Sequence, residues 1–180
     1  MPFKNTLSVI STLNAERKPA QIDAYIASYL NATHTSATFI ASENEYANAI
    51  INAKAAQARQ QGIEVKIVIT SSVAAEDPVD ICNVLGNMFD NAIAACMKIT
   101  GSRRISLHIF DNGEETVFCM KNSIAHSVLE YNPDLRSDKA DKANHGYGTR
   151  IIRETAAKYR GFADFYEESS EFCCNVVMYL

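Results

Sequence analysis

The chain has 180 residues, somewhat more than the roughly 150 of an average domain, so one full domain plus an appendage too small to fold alone is expected. Hydrophobic residues make up 47% and charged residues 21%, with seven glycines and four prolines, which excludes disordered, collagenous and low-complexity classes. The net charge of −4 speaks against a sequence-independent grip on nucleic acid and against a basic membrane-surface role.

Helical periodicity dominates the first third. Phe3, Leu7, Ile10 and Leu13 recur at three- and four-residue steps, and Ile22, Tyr25, Ile26, Tyr29 and Leu30 mark one face of a second helix. Pro19 opens that second helix, so a helical hairpin is predicted. Ser42 with Glu45 three residues on reads as a capping box, starting an Ala-rich helix that Gly62 ends. From Ile63 the period changes to two, as Val65, Ile67 and Ile69 alternate with Glu64, Lys66 and Val68, which predicts a strand. Asp77 as cap and Pro78 as first residue begin another helix, running to about Lys98.

Two further strands, Arg104 to Phe110 and Thr116 to Met120, flank Asp111-Asn112-Gly113, a hairpin signal. A long polar stretch, Ser127 to Asn144, then reads as a functional or mobile loop. A last helix, Thr149 to about Tyr159, ends at Gly161, and two short strands, Ala163 to Glu167 and Phe172 to Leu180, complete the chain. Antiparallel strands with helices on one face, an α+β sandwich, fit this order. Five cysteines without a C-x-x-C pair favour reduced thiols in a cytosolic setting and argue against structural zinc. No apolar run is long enough to cross a bilayer, and the N-terminus lacks a signal-peptide layout.

Two features carry chemistry. On the helix from Pro78, the apolar stripe Ile81, Leu85, Met88, Ala92 and Cys96 lies opposite Asn83, Asn87, Asp90 and Asn91. Steps of four stack the three amides in one row, although helix interiors disfavour Asn because its side chain competes for backbone hydrogen bonds. Two readings stand: a solvated face, or a row of oxygen ligands for a hard cation such as Mg²⁺ that completes its shell with water and nucleotide phosphates. The second feature is Asn144-His145-Gly146-Tyr147-Gly148-Thr149, at the junction of the polar loop with a helix start. Glycines there let backbone N–H groups approach a phosphate, with Lys139, Lys142 and Arg150 close by in sequence. The loop is not a Walker A, since no G-K-[ST] follows, and His145 reads as a solvated or hydrogen-bonding residue.

In order and spacing these features resemble the nucleotide-binding domain of the histidine-kinase, gyrase B, Hsp90 and MutL (GHKL) superfamily, and within it the quorum-sensing sensor kinases like the accessory gene regulator kinase. Leu85 to Ile93 matches the N box. The resemblance implies that Asn91 coordinates Mg²⁺, with Asn87 beside the phosphates and Asp90 flanking them. His145-Gly146-Tyr147-Gly148 matches the glycine box, with Thr149 where a Leu commonly follows, and the preceding loop matches the ATP lid that carries Lys139 and Lys142. Met120-Lys121-Asn122-Ser123 falls where most members carry D-x-G-x-G; Asn122 stands in the place of the adenine-contacting Asp and the glycines are missing. Ile51 to Lys54 and Gly62 to Val65 also resemble this class.

Phe3-Lys4-Asn5-Thr6-Leu7 looks like the end of the phosphoacceptor motif H-D-F-K-N-x-L, which puts Met1 at the position of the phosphorylated His and Pro2 at that of its acidic neighbour. The resemblance therefore implies a Bergerat-type two-layer α/β sandwich over residues 42–180, preceded at 1–41 by a truncated dimerisation and phosphoacceptor hairpin. It implies ATP and Mg²⁺ as cofactors and a histidine kinase that transfers the γ-phosphoryl group to a hairpin His, with Asn87 able to orient the acceptor. Expected partners are a response regulator and a second copy through the N-terminal helices, without nucleic acid. The chain would be the cytoplasmic fragment of a membrane-anchored sensor, able to bind ATP but not to autophosphorylate in the usual way. The alternatives are a non-catalytic, degenerate ATPase-fold scaffold or dimerisation module, and a protein kinase of the anti-sigma type acting on a partner's Ser.

Overall fold

A computed structural model describes residues 42–73, 77–135 and 147–179, together with Thr12, Lys18 and Gln21. The chain divides into two compact units, Met1–Ser36 and Ala37–Leu180, and the elements named here lie in the second. The predicted hairpin helices and the residues 136–146, among them Lys139, Lys142, His145 and Gly146, lie outside the described residues.

Helix α1 spans Glu45–Gln60. Its cap differs from the predicted one. Asn44, not Ser42, accepts from the Ala47 N–H at 2.9 Å, while Ser42 is committed to Asn48, whose Oδ1 accepts from the Ser42 N–H and hydroxyl and whose Nδ2 donates back to the Ser42 carbonyl. Asn ranks at least as high as Ser as a cap, so the competition was open locally. Gly62 sits just past the helix with φ +73°, and the Ile63 N–H reaches back to the Ala58 carbonyl, closing the helix in a left-handed turn.

Strand β1, Glu64–Ile69, follows, then α2, Pro78–Cys96, with Asp77 capping the Val79 N–H at 2.9 Å. Strands β2 (Arg104–Asp111) and β3 (Glu115–Ser123) form a hairpin in which Asn112 Oδ1 accepts from the Glu114 and Glu115 N–H groups, and only Gly113 is left-handed, at φ +89°. A one-turn helix α3, Val128–Tyr131, interrupts the stretch predicted as loop. Helix α4, Gly148–Lys158, and strands β4 (Phe162–Glu168) and β5 (Glu171–Tyr179) complete the unit. The β4–β5 turn places two serines, Ser169 and Ser170, at positive φ.

The sheet order is β1-β2-β3-β5-β4. The sheet is mixed rather than wholly antiparallel as predicted: β1 runs parallel to β2, with Glu64 opposite Arg104, and the other pairs are antiparallel. A parallel pair needs a crossover, and α2 is that crossover.

Helices α1, α2 and α4 bury Ala47, Ile51, Leu85, Phe89 and Ile152 against the sheet residues Ile105, Leu107, Phe118, Met120 and Val176. Helix α2 packs against both other helices. The five cysteines are free thiols; burial pushes Cys174 up to about 12, which disfavours the reactive thiolate.

Gly161 follows the last helix because nothing larger fits. A methyl there would come within 1.8 Å of the Val177 carbonyl oxygen. The left-handed turn itself is made one residue earlier by Arg160, at φ +56°.

The start of α2 is clasped to the end of α4. Asp80 is 9% exposed, and its Oδ2 accepts from Lys158 Nζ at 2.5 Å and from the Tyr159 hydroxyl at 2.9 Å, while the Tyr159 oxygen accepts from the Asp77 N–H at 3.3 Å. The Val79 N–H, aided by Lys158, holds the Asp77 carboxyl below its ordinary value. Hydrogen bonding to Asp80 pushes Lys158 up, and burial followed by the bond to Asp80 does the same for Tyr159. A carboxyl lowered on folding stabilises above its unfolded value, and that contribution is lost as pH falls; groups raised on folding stabilise below theirs, and that contribution is lost as pH rises. Stability should therefore decline below about pH 4 and above about pH 10. In denaturant unfolding at neutral pH, Tyr159→Phe should cost about 1.5–3 kcal/mol, the worth of a hydrogen bond to a charged group.

Candidate functional site

The apolar stripe of α2 fixes the rotation of that helix. Ile81, Leu85, Met88, Ala92 and Cys96 are all buried, and Asn83, Asp90 and Asn91 are thereby left exposed, with Asn87 half-buried. The two sides are not equivalent. Asn87 Nδ2 donates to the Asn83 carbonyl one turn back, at 2.7 Å, and its Oδ1 faces the first residue of α4. A methyl on Gly148 would stand 3.0 Å from Asn87 Oδ1, 3.4 Å from Asn91 Oδ1 and 3.5 Å from Asn91 Nδ2. The amide row and the second glycine of the loop motif, 57 and 61 residues apart in sequence, are thus in contact distance in the fold.

Helix α4 begins without a side-chain cap: Tyr147, in the cap position, makes no such hydrogen bond. The first N–H groups of an eleven-residue helix and the positive end of its dipole therefore lie beside the two amides. Thr149 turns its hydroxyl to the Leu135 carbonyl at 3.5 Å, and Tyr147 is 51% exposed. Arg150 is drawn away along its own helix, pairing with Glu154 at 2.7 Å, with its guanidinium over the Tyr147 ring at 5.9 Å.

Asp90 faces the other flank. Its Oδ1 receives Lys54 Nζ of α1 at 2.5 Å. Nothing in the local pattern of α2 signals that partner, which lies 36 residues earlier.

Asn122 is 4% exposed on β3, on the helix-facing side shared with Phe118 and Met120, with Ile105 and Phe172 as its neighbours in register. Its Nδ2 donates to the Ser123 carbonyl at 3.0 Å. Beyond β3 the chain is steered by Glu167 of β4, whose Oε1 accepts from the Val128 N–H at 2.5 Å and the Leu129 N–H at 2.9 Å. Burial raises the Glu167 carboxyl, but the hydrogen bonds from Leu129, Ser127 and Val128 together bring it below its ordinary value. The carboxylate so held anchors α3 at the start of the polar stretch. Sequence reading missed Glu167, since a capping group supplied from 38 residues away leaves no local trace.

Chemically, the junction offers two neutral amide oxygens and a set of backbone donors. Among the described residues no group of three or more His, Cys, Asp or Glu side chains is placed to hold a metal. Neutral amide oxygens alone compete poorly with water for a hard divalent ion. They suit an ion that brings its own anionic ligands, as Mg²⁺ does on phosphates. The donor set therefore fits a metal carried in by a phosphorylated ligand better than a metal caged by protein.

No curated protein matches the chain in sequence. In fold, the catalytic domain of histidine kinase ThkA matches with a TM-score of 0.62 at 17% identity, over 76% of this chain and 91% of that one. The Acinetobacter baumannii histidine kinase AdeS matches with a TM-score of 0.58 at 10% identity, over 99% and 96% of the two chains. The histidine kinase domain of the Erythrobacter litoralis EL346 blue-light activated histidine kinase matches with a TM-score of 0.57 at 15% identity, over 95% and 84%. At these identities the likeness is one of fold, the Bergerat-type α+β sandwich with a mixed five-stranded sheet. The sequence supplies the family: residues 77–179, more than half of the chain, match the GHKL domain, and the chain belongs to that family.

Proposed function

We propose that this chain is the ATP- and Mg²⁺-binding catalytic domain of a two-component sensor histidine kinase, of the quorum-sensing class that its N box and glycine box resemble. The observation that carries the proposal is the approach of Gly148 to Asn87 and Asn91, which brings the start of α4 against the amide row of α2. On this reading Asn91 is the metal ligand and Asn87 its companion beside the phosphates, with Asp90 on the flank. Gly146, Tyr147, Gly148 and Thr149 line the phosphates with backbone N–H groups. Lys139, Lys142 and His145 reach the nucleotide from the lid, and Asn122 takes the adenine-side position.

Bound Mg²⁺ would neutralise charge on the transferred phosphoryl group; the protein's own contribution is mostly positioning. Asn87 can orient an acceptor imidazole but cannot take its proton. The acceptor is a His of a dimerisation hairpin of the kind read at residues 1–41, and the next recipient is a response regulator. The natural setting is the cytoplasmic face of a membrane-anchored, dimeric sensor. Among the described residues no helix is long and apolar enough to cross a membrane.

A second reading, a scaffold that keeps the fold without turnover, draws support from Asn122. That residue is not a carboxylate, and one of its two amide N–H donors is given to the Ser123 carbonyl.

Calorimetric titration of ATP with Mg²⁺ tests the kinase reading, which requires binding and is overturned if none is seen. Asn91→Ala should weaken that binding by about 2 kcal/mol, roughly 30-fold, as expected for loss of a ligand to a charged group. Gly148→Ala is predicted to leave thermal stability within about 1 kcal/mol of the parent, because gained helix propensity offsets crowding of the Asn87 amide. Its ATP affinity should nevertheless fall about tenfold, about 1.4 kcal/mol, and parent-like binding by this variant would remove the close approach as the carrying observation.

A further inference from the structure

We propose that Lys54 of α1 is a positioning residue of the nucleotide site: it holds the Asp90 carboxylate on the α1 flank of α2 and offsets its charge, so that phosphates and metal at the neighbouring Asn91 do not face an unpaired carboxylate. The inference rests on the ATP-binding reading above.

Three observations support it. Asp90 directly precedes Asn91, so its carboxylate lies within about one Debye length, ~10 Å at 0.1 M salt, of anything Asn91 touches. Helix α2 has its amides turned to α4, where Gly148 meets Asn87 and Asn91, whereas Asp90 meets Lys54 of α1. The Lys54 side chain is 20% exposed and that of Asp90 55%, so the lysine is the anchored partner and the carboxylate the group being held.

An unpaired carboxylate at Asp90 would repel the phosphates that the start of α4 attracts. It would also offer a bare cation a competing site off the Asn row. Lys54 prevents both without touching the ligand. A partly exposed ion pair adds little to folding stability, so its effect should be read in ligand affinity.

The test is a double-mutant cycle on the whole chain, read by calorimetry of ATP with Mg²⁺ and by melting temperature. Lys54→Gln keeps most of the side-chain stem, and should weaken ATP binding about three- to fivefold, the scale of one partly exposed pair, with the deficit shrinking as salt is raised. In the Asp90→Asn background, Lys54→Gln should cost less affinity than it does in the parent. Lys54→Gln/Asp90→Asn should return to within about twofold of the parent, and Lys54→Arg should remain parent-like. Melting temperatures should agree within a few degrees across the set. Parent-like binding by Lys54→Gln overturns the proposal, as does a double variant no better than the single one, which would mean that Lys54 contacts the ligand itself. Failure of the parent to bind ATP would remove the underlying reading, and this inference with it.

Discussion

The burial of one face of α2 is the constraint on which the remaining structure depends. Ile81, Leu85 and Phe89 are fully buried, and each such large side chain contributes on the order of 1.5–3 kcal/mol when buried. Rotating the helix by a single residue, about 100°, would expose part of this stripe and carry polar amides toward the core. The polar row therefore has no freedom of its own. Its direction is dictated by hydrophobic packing on the far side of the same helix, and its chemistry follows from where that packing leaves it.

Helix α4 is in turn held at both ends by α2. Its first residue abuts the amides of Asn87 and Asn91, and its last turn is tied to Asp80 through Lys158 and the adjoining Tyr159. One contact is a close steric approach to side-chain amides; the other is a charged and hydrogen-bonded cluster. Together they set the distance between the start of α4 and the polar face of α2, and any ligand held there meets a gap defined by two different kinds of force.

Much of this was legible in the sequence. The stripe on α2, the Asp77-Pro78 start and the alternation of Val65, Ile67 and Ile69 are local periodicities, and each produced the element it predicts. The amide row was legible because three Asn at four-residue steps violate helix preference without a local reason. Long-range partners left no local mark: Lys54 for Asp90, Glu167 for the start of α3 and Tyr159 for Asp80 are joined only by the fold. Local competition misled at Ser42, where Asn44 took the cap and Asn48 took the serine. Gly161 does close the last helix, its N–H reaching back to the Ala156 carbonyl, but the left-handed turn falls on Arg160 and the need for glycine comes from the Val177 carbonyl, which no local pattern reveals. The parallel alignment of β1 escaped notice because strand direction is a property of the connection.

That parallel alignment bears on the order of assembly. Strands β2, β3, β5 and β4 are antiparallel, and two of the three pairs are joined by short turns, so they can collect through inexpensive loop closures. Pairing β1 with β2 joins Glu64 to Arg104 across about 40 residues, and the closed loop contains α2 in full. The entropy of closing that loop must be met before its contacts repay it. Seating the edge strand and seating α2 are therefore coupled, because the chain that carries the amides is the same chain that closes the sheet.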